Sequence, residues 1–268
     1  MTTTQLVPPA QASVPARPGR TGLLVAEWIK LRSLRSTWIL LATVTVLLIG
    51  VPVFSAIGAV VQGVSGTRSG EADVLAAALA GISPVEFLVA ALGALAVTGE
   101  YSSGLIRVTL AAVPRRLPVL LAKALVVGGV ALVTGLAAVL GAYLAVRLVL
   151  LSSGVPATAG APAVFATALG AGAYLSAIAL VGMGFGWIVR STVGALAAFF
   201  GLMYVPPLLV MLPGAAPFAP FLPSNAGAAL LHGWVAEPAT AAVGGAVLAA
   251  WVAALLVVAA VVLRRRDA

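Results

Sequence analysis

Six long apolar runs divide the chain, and the polar residues are concentrated in the intervals between them. The runs occupy residues 37–61, 84–98, 124–150, 163–189, 193–212 and 239–263. Because about 20 apolar residues of helix cross the hydrocarbon core of a bilayer, each run predicts a membrane-spanning helix. The pattern therefore predicts an all-α, polytopic membrane protein with six transmembrane helices.

The second run is short for a membrane crossing. Its 15 residues make about 22 Å of helix, whereas the hydrocarbon core is about 30 Å thick. Either the helix continues into Glu100 and Tyr101, or the short apolar run at residues 74–80 supplies part of the crossing. The second run opens with Ser83-Pro84-Val85-Glu86, a sequence typical of a capping box. This favours Glu86 as a helix cap near an interface over a buried proton carrier.

The segment ahead of the first run has two parts. Residues 1–21 are rich in proline and lack a periodic apolar face, which predicts a disordered tail before one domain over residues 22–268. At helical spacing, residues 22–36 place Glu27 and Lys30 opposite an apolar side formed by Leu24, Val25, Trp28, Ile29 and Leu31. This predicts an amphipathic helix in the inner membrane interface, with Trp28 at headgroup depth and with Arg32 and Arg35 reaching lipid phosphates. A simple basic anchor is the alternative.

The composition agrees with a membrane protein, and the charge distribution orients it. Hydrophobic residues make up 62% of the chain and charged residues 8%, whereas soluble domains carry about 25% charged residues. Thirteen of the fifteen basic residues fall on one side of a six-span topology, and only Arg68 and Arg147 fall on the other. The positive-inside rule then puts both termini and residues 99–123 in the cytoplasm. The net charge of +8 therefore reflects topology, and no nucleic-acid partner is expected.

Motifs for catalysis are missing from the sequence. There is no cysteine and one histidine, no phosphate-binding loop for ATP, and no Ser–His–Asp set or carboxylate pair at metal-ligand spacing. We therefore expect neither an enzyme nor a cofactor or metal site. Gly182-Met-Gly-Phe-Gly186 follows no predicted strand and favours close helix packing over a nucleotide loop, and Gly128, Gly129 and Gly135 are interpreted in the same way.

Residues 99–123 form a long, charged interval between the second and third runs. Ser102 or Ser103 is suited to cap a short helix to about Val113, which Pro114 and Pro118 would end. A carboxylate at the hydrocarbon edge, such as Glu100, should be paired. In a continuous helix Arg107 would share its face, and three other cations are alternative partners: Arg115, Arg116 and Lys123.

The interval resembles a known family. Glu100-Tyr-Ser-Ser-Gly-Leu-Ile-Arg-Val-Thr-Leu110, followed by Pro114-Arg-Arg116 and Ala122-Lys123, is similar to the segment after the second span in permease subunits of type-2 ATP-binding-cassette (ABC) exporters, in the version common in actinobacteria. Glu27-Trp-Ile-Lys-Leu-Arg-Ser-Leu-Arg-Ser36 resembles their cytoplasmic interface helix. The resemblance covers about residues 22–266.

The resemblance implies an exporter permease of the bacterial plasma membrane. It would work with a second permease copy and with two copies of a separate ABC ATPase subunit, and its outer connection at residues 213–238 would carry short re-entrant helices. Residues 99–123 would be the coupling segment. The residues implied in coupling are Glu100, Tyr101, Gly104, Arg107, Arg115 and Arg116. Those implied in the interface helix are Glu27, Trp28, Lys30, Arg32 and Arg35.

Two further expectations concern the substrate and the competing function. The nearly uncharged outer connection favours a lipophilic or amphipathic cargo. Arg147, near the outer end of the third span, is either a headgroup anchor or a contact for an anionic substrate at the mouth of the pathway. The alternative function is a non-transporting membrane protein that uses the same basic segments to recruit or sense a cytoplasmic partner.

Overall fold

A computed structural model describes residues 20–63, 71–113, 116–236 and 238–265. These ranges contain ten α-helices and no strand. The helices are α1 (Arg20–Ser33), α2 (Arg35–Val61), α3 (Glu71–Leu79), α4 (Ile82–Ser102), α5 (Leu105–Ala112), α6 (Arg116–Ser152), α7 (Ala161–Val189), α8 (Thr192–Val210), α9 (Pro223–Ala236) and α10 (Pro238–Arg265). Six segments are long and apolar enough to cross a membrane. The all-α, six-span prediction is confirmed, while the predicted tail lies almost entirely outside the described residues.

The second span is longer than its apolar core, because both proposed extensions occur. Helix α3 and helix α4 together form a 30-residue span, Asp73–Ser102, interrupted at Ala80 and Gly81. A Cβ on Gly81 would lie 2.8 Å from the Cα of Leu48, so only glycine allows this approach to α2. The interruption is therefore a packing joint within one crossing.

The predicted capping box is wrong. Helix α4 begins at Ile82, and its N-cap is Gly81, which makes no side-chain capping bond. Ser83 already lies inside the helix, where its backbone is helical and cannot adopt the non-helical conformation of an N-cap. Glu86 therefore does not cap the helix. Its carboxylate instead accepts a hydrogen bond from Tyr174 on α7 at 2.8 Å.

Hydrogen bonds between helix ends establish which ends of the spans lie together. The guanidinium of Arg116, at the start of α6, donates to the carbonyl of Leu263 near the end of α10. The hydroxyls of Thr98, late in α4, and Thr192, at the start of α8, are 2.7 Å apart. We call this end of the bundle, where α1 also packs, the α1 end, and the other the far end.

Close helix contact through small residues forms the centre of the bundle, where α7 packs against both α4 and α6. A Cβ on Gly93 would collide with the carbonyl of Ala179, and one on Gly182 with the carbonyl of Ala90. The interpretation of Gly182 as a packing residue is confirmed. For Gly129 it is wrong, because no atom lies within 4 Å of a Cβ placed there.

The connection between α8 and α10 folds back along the bundle. It contains a 3-10 helix, Ala216–Phe221, followed by α9. The indole nitrogen of Trp251 donates to the carbonyl of Phe221 at 3.0 Å, and Trp251 lies midway along α10. Two short helices thus occupy the interval for which the resemblance implied re-entrant helices, and the connection reaches the middle of α10.

Replacing Gly93 by alanine should destabilise the protein by about 1–3 kcal/mol, because the added methyl forces α4 away from α7. The matched control is Gly129→Ala, which places the same methyl in open space and should leave stability unchanged or slightly raised. Thermal denaturation in detergent checks both, and equal melting temperatures for the two variants would contradict the packing argument.

Candidate functional site

The polar side of α1 faces the protein. Glu27 is 4% exposed and Leu31 6%, whereas Val25, Trp28 and Ile29 are 56%, 45% and 59% exposed. The sequence correctly places Glu27 and Lys30 on one side of the helix, but it groups Leu31 with the exposed apolar residues, which is wrong. Arg32 and Arg35 are exposed, as a role at lipid phosphates requires.

Two carboxylates and two ammonium groups meet where α1, α4 and α6 converge. Lys123 donates to Glu27 at 2.5 Å and to Glu100 at 2.9 Å. Lys30 lies 2.7 Å from a Glu27 oxygen and 3.0 Å from a Glu100 oxygen. Each base therefore contacts both acids. We call Glu27, Lys30, Glu100 and Lys123 the charge cluster.

Because the charge cluster is buried, each of its charges needs a countercharge close by. Glu27, Glu100 and Lys123 are at most 7% exposed, and removing a charge from water costs several kcal/mol unless a countercharge is close. Equal numbers of acids and bases neutralise the group. One oxygen of Glu100 is nevertheless buried without a hydrogen-bond partner, and a cavity of about 190 Å³ adjoins the cluster. The cluster therefore has both an unused acceptor and space in which to rearrange.

The protonation of Lys30 keeps the cluster intact over the neutral range. Burial disfavours the charged ammonium, but hydrogen bonds and charge interactions with Glu27 and Glu100 outweigh it and raise the pKa of Lys30 above its usual value. Since the folded-state pKa is raised, the stabilisation is fully present below the ordinary pKa of 10.5 and is lost as pH rises through the folded-state value. The contribution of Lys30 to the attachment of α1 should therefore not change with pH near neutrality.

The chain breaks between α4 and α5 instead of continuing as one helix. Gly104 has φ +72°, a left-handed conformation that glycine adopts without strain. Ser102 and Ser103 donate to the carbonyl of Gly99 and so close α4. The prediction that one of them caps the next helix is wrong, because Gly104 occupies that position without a side-chain capping bond.

The break also separates Glu100 from Arg107. Arg107 is exposed on α5, while Glu100 pairs with Lys123, one of the proposed alternatives, and with Lys30, which the sequence reasoning missed. The pairing of Glu100 with Arg107 in a continuous helix is therefore wrong. Arg115, another alternative, lies outside the described residues.

Helix α5 is held against the bundle from two directions. Ile106 is 2% exposed and joins the main hydrophobic core. The ammonium of Lys30 donates to the hydroxyl of Thr109 at 3.2 Å, which connects α5 to the charge cluster. Lys30 thus links α5 to α1 through one side chain.

Tyr101 and Arg116 fix helix ends from within the protein. The ring of Tyr101 packs edge to face with Trp187 at 6.0 Å, and the guanidinium of Arg190 lies 5.1 Å from its centroid. Arg116 bonds the end of α10, as described above. Of the residues that the resemblance implied in coupling, Gly104 and Arg107 are exposed, whereas Glu100, Tyr101 and Arg116 have internal partners.

Arg147 lies far from the charge cluster. It is 24 residues beyond Lys123 in α6, or about 36 Å along the helix, and its side chain is exposed. This position suits a headgroup anchor, and a substrate contact there stays a prediction.

The sequence signal for the charge cluster was present but incomplete. Lys123 was considered only for Glu100, and Glu27 was assigned to the interface helix. The small number of charged residues is a stronger indication of this pairing, since the chain has only two lysines and seven acidic residues. A lysine inside a span requires a carboxylate, and the amphipathic α1 carries one.

Neither a scan of family models nor a search of curated proteins finds a match to this chain. The six apolar helices establish a multi-pass membrane protein. Its functional assignment therefore depends on the geometry at the α1 end and on the sequence resemblance.

Replacing Lys123 by methionine should destabilise the protein by about 3–5 kcal/mol, because two buried carboxylates then share one ammonium. Adding Glu27→Gln should recover part of the loss by restoring one base for one acid. The exposed control, Arg107→Ala, should change stability by less than about 0.5 kcal/mol. Thermal denaturation in detergent measures all three, and a Lys123→Met variant as stable as the control would refute the role of the cluster.

Proposed function

We propose that this chain is the permease subunit of an ATP-driven type-2 ABC exporter in a bacterial plasma membrane, with the α1 end in the cytoplasm. The observation that carries the proposal is α5, a short helix between two spans, with one face on the core and a side-chain bond to the charge cluster. Such a segment offers a partner a mechanical connection to the spans. The family resemblance of the same residues supports the assignment.

The outward face of α5 suits a protein partner. Leu105 is 40% and Val108 66% exposed, and Arg107 lies beside them. An apolar patch with an arginine is typical of the centre of protein interfaces. Because the sequence has no phosphate-binding loop, the proposed partner is a separate ABC ATPase, present in two copies.

Coupling follows from the contacts of α5. When ATP draws the two ATPase subunits together, α5 is displaced, and Thr109 moves Lys30. Lys30 contacts Glu27 on α1 and Glu100 on α4, so both helices follow. Packed helices respond to such a displacement by rigid-body movement, which in this proposal alternates access to the pathway.

The pathway is proposed to lie between two permease copies. The spans α2, α8 and α10 are the least buried of the six, so they have surface available for a second copy. On α8, three apolar side chains are each more than half exposed: Phe200, Leu208 and Leu209. A homodimer or a pair with a similar permease would close the route.

The test first asks whether an ABC ATPase is encoded beside this chain, and then coexpresses the two proteins. Val108→Asp should weaken copurification of the ATPase about tenfold or more, because a charge replaces an apolar contact at the interface. Val193→Asp is the matched control, since Val193 is another exposed valine at the α1 end but outside α5.

The outcomes separate the competing functions. Equal ATPase binding and equal ATP-driven transport by the two variants would overturn the coupling role of α5. A wild-type complex that binds the ATPase, yet transports nothing in proteoliposomes, would favour the non-transporting recruiter.

A further inference from the structure

A carboxylate lies deep within the second span. Glu86 is residue 14 of the 30 in Asp73–Ser102. Gly81, five residues before it, packs against Leu48 at the midpoint of α2. Glu86 is therefore near the middle of the bundle and not at an interface, as the capping-box prediction required. Ionisable groups at such depth are costly and are commonly functional.

The hydrogen-bond partner of Glu86 is a donor without charge. Its carboxyl group accepts from the hydroxyl of Tyr174 at 2.8 Å, and Tyr204 lines the same cavity beside it. Among the described residues, no lysine or arginine forms an ion pair with it. Tyr174 orients the carboxyl group. When Glu86 is ionised, no cationic side chain among the described residues compensates its charge.

Glu86 and both tyrosines line a cavity of about 460 Å³ between α4, α7, α8 and the start of α9. This volume is within the range of small-molecule sites, about 300–1,000 Å³. Most of the other lining residues are apolar and include Ile82, Met203, Pro207 and Leu231, whereas Ser83, Ser224 and Asn225 are polar. Tyr204 is 43% exposed, so the cavity opens to the surface of the bundle.

Besides Glu86, the cavity contains a polar group that has no hydrogen-bond partner. The hydroxyl of Ser224, in the first turn of α9, is buried without a hydrogen bond, although Ser224 lines the cavity. Burying an unsatisfied polar group costs free energy. A ligand with a polar head could satisfy this hydroxyl while its apolar body contacts the remaining walls.

We propose that this cavity binds a monovalent organic cation with a bulky apolar body, and that it is the substrate site of the exporter. Among the described lining residues, Glu86 is the only carboxyl group and no lysine, arginine or histidine is present, so an ionised Glu86 selects against anions. Neutral ligands would leave Glu86 without a countercharge, whereas a cation supplies one. The faces of the tyrosine rings also attract cations. The apolar walls suit a ligand with a bulky apolar body. The assignment as a substrate site rests on the proposed function, but the binding site itself does not.

The test compares two probes of the same size and shape but opposite charge. Tetraphenylphosphonium and tetraphenylborate are titrated against the purified chain in lipid nanodiscs without an ATPase, with empty nanodiscs subtracted. The wild type should bind the cation at least about tenfold more tightly than the anion. Equal affinities, or no saturable binding of the cation, would overturn the site without reference to any variant.

Glu86→Gln removes the charge and keeps a hydrogen-bond acceptor for Tyr174. It should weaken tetraphenylphosphonium binding about tenfold and abolish the rise in melting temperature that the ligand gives the wild type. Asp73→Asn is the control, because it removes one carboxylate from the same span outside the cavity. Unchanged binding by Glu86→Gln, or an equal loss in Asp73→Asn, would overturn the role of Glu86.

The two proposals fail in distinguishable ways. If the nanodisc titrations show no cation site while ATPase copurification responds to Val108→Asp, the further inference fails alone. If cation binding depends on Glu86 but no ATPase associates, the site stands and the exporter assignment fails.

Discussion

A buried charge needs a countercharge close by, and this requirement organises the α1 end of the bundle. Lys123 projects from a span and is neutralised by Glu27 from α1 and Glu100 from α4. Lys30 supplies the second positive charge and donates a hydrogen bond to Thr109 on α5. Four helices are thus joined by two ammonium groups. Because lipid accommodates apolar side chains as well as protein does, close packing and polar contacts together attach the helices here. Helix α1 accordingly buries Glu27 against the bundle and leaves Trp28 exposed.

Helix α4 carries one carboxylate of each site, Glu86 in the cavity and Glu100 in the charge cluster. Glu86 and Glu100 are 14 residues apart, or about 21 Å along the helix. Between them, Gly93 brings α4 into backbone contact with α7. A pair of helices packed this closely moves as one body more readily than it bends. In the proposed permease, movement of α5 would reach the cavity around Glu86 as a shift of the α4–α7 pair, and the walls from α8 and α9 would move relative to it.

The local properties of the chain were predictable. Span number and helical class follow from the length of apolar runs, and the tight turn at Arg190 follows from the short polar interval between two of them. The interpretation of Gly182 as a packing residue was also accessible, since small residues at helical spacing have few other uses in a span. Predictions of helix ends were poorer. Ser83, Ser102 and Ser103 are good caps by type, but glycines at 81 and 104 occupy the capping positions.

The sequence by itself determined that this protein crosses a membrane six times, because hydrophobic length is a property of contiguous residues. It also identified Glu100 as a carboxylate that should be paired, with Lys123 among the alternative partners. Only the tertiary structure decided which charges meet, since ion pairs between helices depend on crossing geometry and rotation that no local pattern encodes. For the same reason the sequence predicted Glu86 as a helix cap, whereas the structure shows a carboxyl group in a cavity. Its hydrogen-bond partner, Tyr174, lies 88 residues away along the chain.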